Sequence, residues 1–251
     1  MPKILFLLLL VKLAAAQVAI RTCTLGDSSL QLHQTFFSPA HEGIYFINLH
    51  SNETTSIGAA TEYLQKQGGS LLQLLHGEVR YVSFGFNNMH HKVDPNRIFT
   101  SAGIKHTLKK NGAYSTEAEK ETQKFADSIL ALMAHPKLII AMHNNTNNEF
   151  SVLSYTKGGN EAINAADVYV NTKMDADDFV YTTEQKVFSY LKQQKINAVL
   201  QKAKGFNDEG SLSIYCSRKH IPYINVEAQE GHMEQQLQML NALKGIIASY
   251  E

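Results

Sequence analysis

Three strand-length apolar runs in this chain each end on a residue that can hold a metal or move a proton. Ile44-Tyr45-Phe46-Ile47-Asn48-Leu49 delivers His50, Lys137-Leu138-Ile139-Ile140-Ala141-Met142 delivers His143, and Pro222-Tyr223-Ile224-Asn225-Val226 delivers Glu227. Stretches of helical period lie between them. Near-continuous apolar strands alternating with helices predict an α/β fold whose sheet is covered on both faces. In such sheets ligands gather at the carboxyl ends of the strands. The pattern therefore constrains where a site can sit as well as what fold carries it.

The remaining elements are expected as follows. A strand over Gly43–Leu49 leads into a helix from Glu53 to Gln67, with Ile57, Ala60, Tyr63 and Leu64 inward and Gly68-Gly69 closing it. Further strands are predicted at Glu78–Phe86, Asp178–Tyr181 and Ala198–Leu200. Helices are predicted from a Ser115 cap to about Ala134, from Glu184 to Gln194, after Gly210, and from Met233 to Ala248. No internal repeat or low-complexity linker divides the chain, so a single domain is expected.

Lys3 precedes the apolar stretch Ile4–Val11, and Ala14-Ala15-Ala16 offers a small-residue cleavage pattern before Gln17. Residues 1–16 are therefore predicted to be a secretory signal peptide. The run is shorter than the ~20 residues of a spanning helix. The mature chain, residues 17–251, is expected to be exported, periplasmic or secreted, with no stable membrane insertion after cleavage. About 235 residues remain, enough for one sizeable core. The 23 basic residues balance 23 acidic ones and form no basic stripe, which argues against nucleic acid as a partner. Cys23 and Cys216 could pair in an oxidising compartment or stay apart as thiols; the sequence leaves both open.

His50-Ser51-Asn52-Glu53 sets an imidazole and a carboxylate three residues apart. Zinc is held by such donors, and a catalytic zinc site uses three protein ligands with one position left for water. A His-x-x-Glu pair alone also occurs by chance in surface loops. Weight comes from His143 and Glu227 at matching strand ends, and from Val93-Asp94-Pro95-Asn96-Arg97-Ile98-Phe99 between them.

That order of motifs, from His50 to about Gly231, resembles the zinc metallocarboxypeptidases and their relatives, the succinylglutamate desuccinylase and aspartoacylase group. The resemblance implies a zinc carboxypeptidase-like catalytic domain over 17–251, with a mixed twisted sheet and helices on both faces. It implies one Zn2+ held by His50, Glu53 and His143. Asp94 matches the carboxylate that supports a ligand histidine, and Asn96 with Arg97 the pair that binds the substrate's terminal carboxylate. Glu227 matches the general base, and Arg80, 17 residues before Arg97, lies near the place of an arginine that polarises the scissile carbonyl.

The sequence also departs from the family. Phe206 stands near the place of a mobile tyrosine, leaving Tyr155 or Tyr215 to substitute, and Asn144-Asn145 follow His143 where the peptidases usually have a serine and an aromatic. His76, His90, His91, His106 and His232 lack a ligand pattern and are expected to be surface or structural. The implied function is an exported zinc-dependent hydrolase cleaving an amide bond next to a free carboxylate. That means a metallocarboxypeptidase acting on short or cell-wall peptides, with an N-acyl amino acid deacylase or a catalytically silent peptide binder as alternatives.

Overall fold

The computed structural model describes residues 16–77 and 79–251. The leader expected over 1–16 lies outside them except for its last residue, as does Glu78. The chain runs through β1 (Gln17–Leu25), β2 (Ser28–Phe37), β3 (Ile44–Asn48), α1 (Thr54–Gln67), β4 (Gly69–Leu75), a small hairpin of β5 (Val82–Phe86) and β6 (Met89–Val93), α2 (Ser101–Asn111) and α3 (Thr116–Leu130). It continues through β7 (Leu138–Asn145), β8 (Ala165–Tyr169), β9 (Phe179–Thr182), α4 (Gln185–Gln193), β10 (Ala198–Gln201), α5 (Leu212–Lys219), β11 (Tyr223–Gln229) and α6 (Met233–Ala248).

Nine of these strands form one mixed sheet in the order β1-β2-β4-β3-β7-β11-β9-β10-β8. Its centre, β4-β3-β7-β11, is parallel throughout. Strand alternation sends successive side chains to opposite faces. On one face Ile139, Ala141, Phe179 and Tyr223 pack with Ile104, Phe125, Leu212 and Cys216 of α2, α3 and α5. On the other, Ile140, Met142, Ile224 and Val226 pack with Tyr63, Phe188 and Leu240 of α1, α4 and α6. This is the expected α/β architecture in a single domain.

Chain order places β4 on one side of β3 and β7 on the other. The crevice at the carboxyl ends of β3 and β7 is therefore a switch point, where open α/β sheets bind ligands. His50 and His143 emerge on its two sides.

Three expectations change. The strand predicted at Glu78–Phe86 is only Val82–Phe86, and it pairs with β6 outside the main sheet. Gly68-Gly69 ends α1 as expected, but β4 starts at Gly69 at once, because Gly69 N donates to Pro39 O and opens a buried strand. The β1-β2 hairpin was not anticipated. Most of β1 is exposed on both sides, so it carries no strong apolar pattern. Cys23 and Cys216 are both buried free thiols. Among the described residues no helix is long and apolar enough to cross a membrane.

Candidate metal centre and its cavity

His-x-x-Glu closes into a tight turn between β3 and α1, with Glu53 N donating to His50 O at 3.0 Å. Asn48 braces it: its Nδ2 donates to Met142 O on β7 and to Ser56 Oγ on α1, both at 3.1 Å. Asn144 does the same from β7, its Oδ1 accepting from Ser56 N at 2.8 Å. Asn144 thus ties the helix start to the strand bearing His143.

Three donor atoms converge there. His50 Nδ1 lies 2.9 Å from Glu53 Oε1, His143 Nδ1 lies 2.9 Å from Glu53 Oε2, and the two Nδ1 atoms are 3.3 Å apart. All three residues are buried, and among the described residues they form a cluster able to hold a metal ion. Ligand atoms about 2.1 Å from a tetrahedral ion stand roughly 3.4 Å apart. The observed spacings are close to that, and the set of two imidazoles and one carboxylate suits such an ion.

Asp94 fixes the tautomer. Its Oδ1 accepts from His50 Nε2 at 2.8 Å, which leaves Nδ1 turned to the cluster. Burial opposes charge on His50, yet Glu53 and Asp94 push its pKa up to about 9. Burial also opposes ionisation of Glu53, but His50 and His143 hold its carboxyl well below the usual range. Arg80 sits half-exposed over the cluster, with Nη1 3.4 Å from Glu53 Oε1 and Nη2 3.3 Å from Asp94 Oδ2.

Parallel pairing sets Glu227 directly beside His143, and Asn225 beside Ala141. Asn225 Nδ2 donates to Glu227 Oε1 at 3.0 Å. Burial raises the Glu227 pKa, and His143 partly offsets this. Gln236, fully buried on the apolar stripe of α6, donates from Nε2 to His143 O at 2.9 Å and to Val226 O at 3.0 Å. That glutamine locks the two strand ends together, and its only sequence signal was a polar residue on an apolar helical face.

Asn96 and Arg97 lie beyond β6. Asn96 Oδ1 accepts from Leu212 N at 3.1 Å, while its Nδ2 is 3.4 Å from His143 Nε2. Arg97 donates from Nη1 to Asn96 O at 2.8 Å, and its Nε is 3.4 Å from Glu209 Oε2. A cavity of about 410 Å³ brings all the expected first-contact residues together: His50, Glu53, His143, Arg80, Asn96, Arg97 and Glu227. Glu161, Glu209, Tyr181 and Asn145 also line it, and sequence reasoning missed their place there.

No protein-family profile matches the sequence, and no curated protein does. Solved structures match in fold. Thrombin activatable fibrinolysis inhibitor superposes with a TM-score of 0.51 at 13% identity, over 92% of this chain and 69% of that one. The chain shares the fold of that protein. A metallo-carboxypeptidase from Burkholderia cenocepacia gives 0.49 at 10% identity, over 96% and 67% of the two chains. An aspartoacylase family protein from Mesorhizobium loti gives 0.47 at 13% identity, over 91% and 66%.

Within this fold the two tyrosine candidates separate. Tyr155 lines the cavity, 5.3 Å from the Tyr181 ring. Tyr215 packs on Phe99 instead, and Phe206 lies under the Arg218 guanidinium; neither reaches the cavity wall. Of the other histidines, His91 is fully buried and stacks on Phe84, and His232 pairs with Asp178 at 3.0 Å. His76 sits behind the His50–Glu53 turn, 3.3 Å from Leu49 O.

Proposed function

We propose that this chain is an exported zinc-dependent hydrolase that cleaves an amide bond next to a free carboxylate, as a carboxypeptidase acting on short or cell-wall peptides. The observation that carries the reading is the single cavity shared by a three-donor metal cluster, a buried carboxylate beside it and a guanidinium. Zinc bound by His50, Glu53 and His143 would supply a Lewis acid and a water with its pKa lowered toward ~7.

The chain's own residues account for the rest. Arg97 holds the substrate's terminal carboxylate, because a guanidinium meets a carboxylate with charge-assisted bonds. Asn96 Nδ2 adds a second donor, its amide oriented by Leu212 N. With the carboxylate fixed, the amide is placed in register. Glu227 takes a proton from the attacking water and returns it to the leaving nitrogen. Its raised pKa suits both halves of that transfer. Arg80, half-exposed at the cluster, faces the negative charge that grows on the carbonyl oxygen.

Zinc-loaded protein should release C-terminal amino acids from a mass-spectrometric screen of peptides, muropeptides and N-acyl amino acids. Release confined to N-acyl amino acids would make it a deacylase. Bound ligand with no release would make it a silent binder and overturn the reading.

A further inference from the structure

The nine-stranded sheet ends at β1 on one side and β8 on the other, and the two edges are built differently. β8 has five residues, carries Asp167, and pairs with β10 through a register shift between Leu200 and Gln201. Short length, charge and a bulge are the usual means of keeping other strands off a sheet edge. β1 lacks that protection. It runs nine residues from Gln17 to Leu25, holds an unbroken register with β2, and contains no proline and one charge, Arg21. Among the described residues it pairs only with β2, so a row of its N–H and C=O groups faces outward.

The side chains along this edge repeat the contrast. Cys23 and Leu25 turn into the core that α3 covers, while Val18 and Ile20 alternate onto the opposite face. Val18 is 50% exposed and Ile20 59%, the most exposed large apolar side chain among the described residues. Beside the edge a groove of about 510 Å³ lies between β1 and α3. Its charged lining is balanced, Arg21 and Lys124 against Glu121 and Asp127. A surface with equal charges of both signs suits a copy of itself and offers little to a polyanion or a polycation.

We propose that β1 is a dimerisation edge, pairing antiparallel with β1 of a second copy of this chain about a twofold axis at Ala19. In that register Val18 of each copy stands opposite Ile20 of the other, so four β-branched side chains meet on the open face. Gln17 stands opposite Arg21 on the other face. A centre at Arg21 would instead set two guanidiniums against each other, and like charges directly opposite are destabilising. Cross-strand β-branched pairs stabilise a sheet, and the twofold closes the assembly at two copies. The association needs neither metal nor substrate, so it stands apart from the hydrolase reading.

Sedimentation equilibrium of the protein should find a monomer–dimer equilibrium. Val18→Lys and Ile20→Lys, both at exposed positions, should each weaken the dimer about tenfold or more with circular dichroism unchanged. Ala19→Cys tests the register, because opposed residues of an antiparallel pair have Cα atoms about 4.5–5.5 Å apart, within a disulfide's reach. Mild oxidation should give a linked dimer from Ala19→Cys but not from the parent, whose Cys23 and Cys216 are buried. Monomer at every concentration would overturn the proposal. So would a dimer indifferent to both lysine variants, a folded Ala19→Cys chain that forms no linked dimer, or growth past two copies.

Discussion

Nε2 of His50 lies 2.8 Å from Oδ1 of Asp94, and that contact decides which ring nitrogen is left for a metal. Asp94 is itself fixed, because its Oδ1 also accepts from Asn96 N at 2.9 Å and its backbone N donates to Thr107 Oγ1 at 2.9 Å. His50 holds the Asp94 carboxyl well below its usual range against the opposing effect of burial. One carboxylate thus orients His50 and anchors the loop carrying Asn96 and Arg97. Asp94→Ala should weaken metal binding by about 10–100-fold in a chelator competition. Unchanged affinity would remove Asp94 from that role.

Glu227 should show itself in the pH profile. A base must be ionised to act, and burial lifts this carboxyl above its ordinary value of 4.5. Activity should therefore fall on acidification with a midpoint above 4.5, and Glu227→Gln should abolish turnover while metal stays bound. The sign for stability runs the other way. A carboxyl whose folded pKa is raised contributes favourably at low pH and loses that contribution as pH rises through the folded pKa. At neutral pH, metal-free Glu227→Gln should melt no lower than the metal-free parent. A clearly lower Tm would contradict the burial argument.

In the proposed reaction Arg97 binds the substrate's free carboxylate. Capping a peptide substrate's C-terminus as an amide should cut kcat/KM on the order of 100-fold, since it removes the charged partner of a guanidinium. In Arg97→Ala the difference between free and amidated peptides should largely vanish. A persistent preference would assign carboxylate recognition elsewhere.

Two glycines hold the Arg97 and Glu209 side of the cavity together. Gly103 at the start of α2 and Gly210 beside Glu209 touch backbone to backbone, so a Cβ on either would overlap the other, and Gly210 has φ +84°. Phe99 N donating to Gly210 O at 2.9 Å seals the contact. Gly103→Ala should destabilise by about 1–3 kcal/mol in denaturant melts and slow turnover. Gly245→Ala, in α6 with nothing near its would-be Cβ, should instead stabilise by up to about 1 kcal/mol. Equal effects would refute the close-contact account.

Much of this was legible because the central strands are buried on both faces. An apolar run that stops at His50, His143 or Glu227 marks both the strand and the end that reaches the cavity, and parallel register then sets Glu227 beside His143. The β1-β2 hairpin was not legible, since only Cys23 and Leu25 of β1 are buried and the strand is held by backbone pairing with β2. Gly68-Gly69 read as an ending because glycine at positive φ closes helices, while here Gly69 also begins β4. Glu161 and Glu209 sit in loops without periodicity, and only the tertiary fold brings them to the cavity.

The most direct measurement is metal content per chain after exposure to zinc and removal of excess ion. The parent should retain close to one zinc, and His143→Ala should lose it while circular dichroism remains folded. Full zinc occupancy in a folded His143→Ala, or none in the parent, would contradict the His50, Glu53 and His143 centre on which the rest depends.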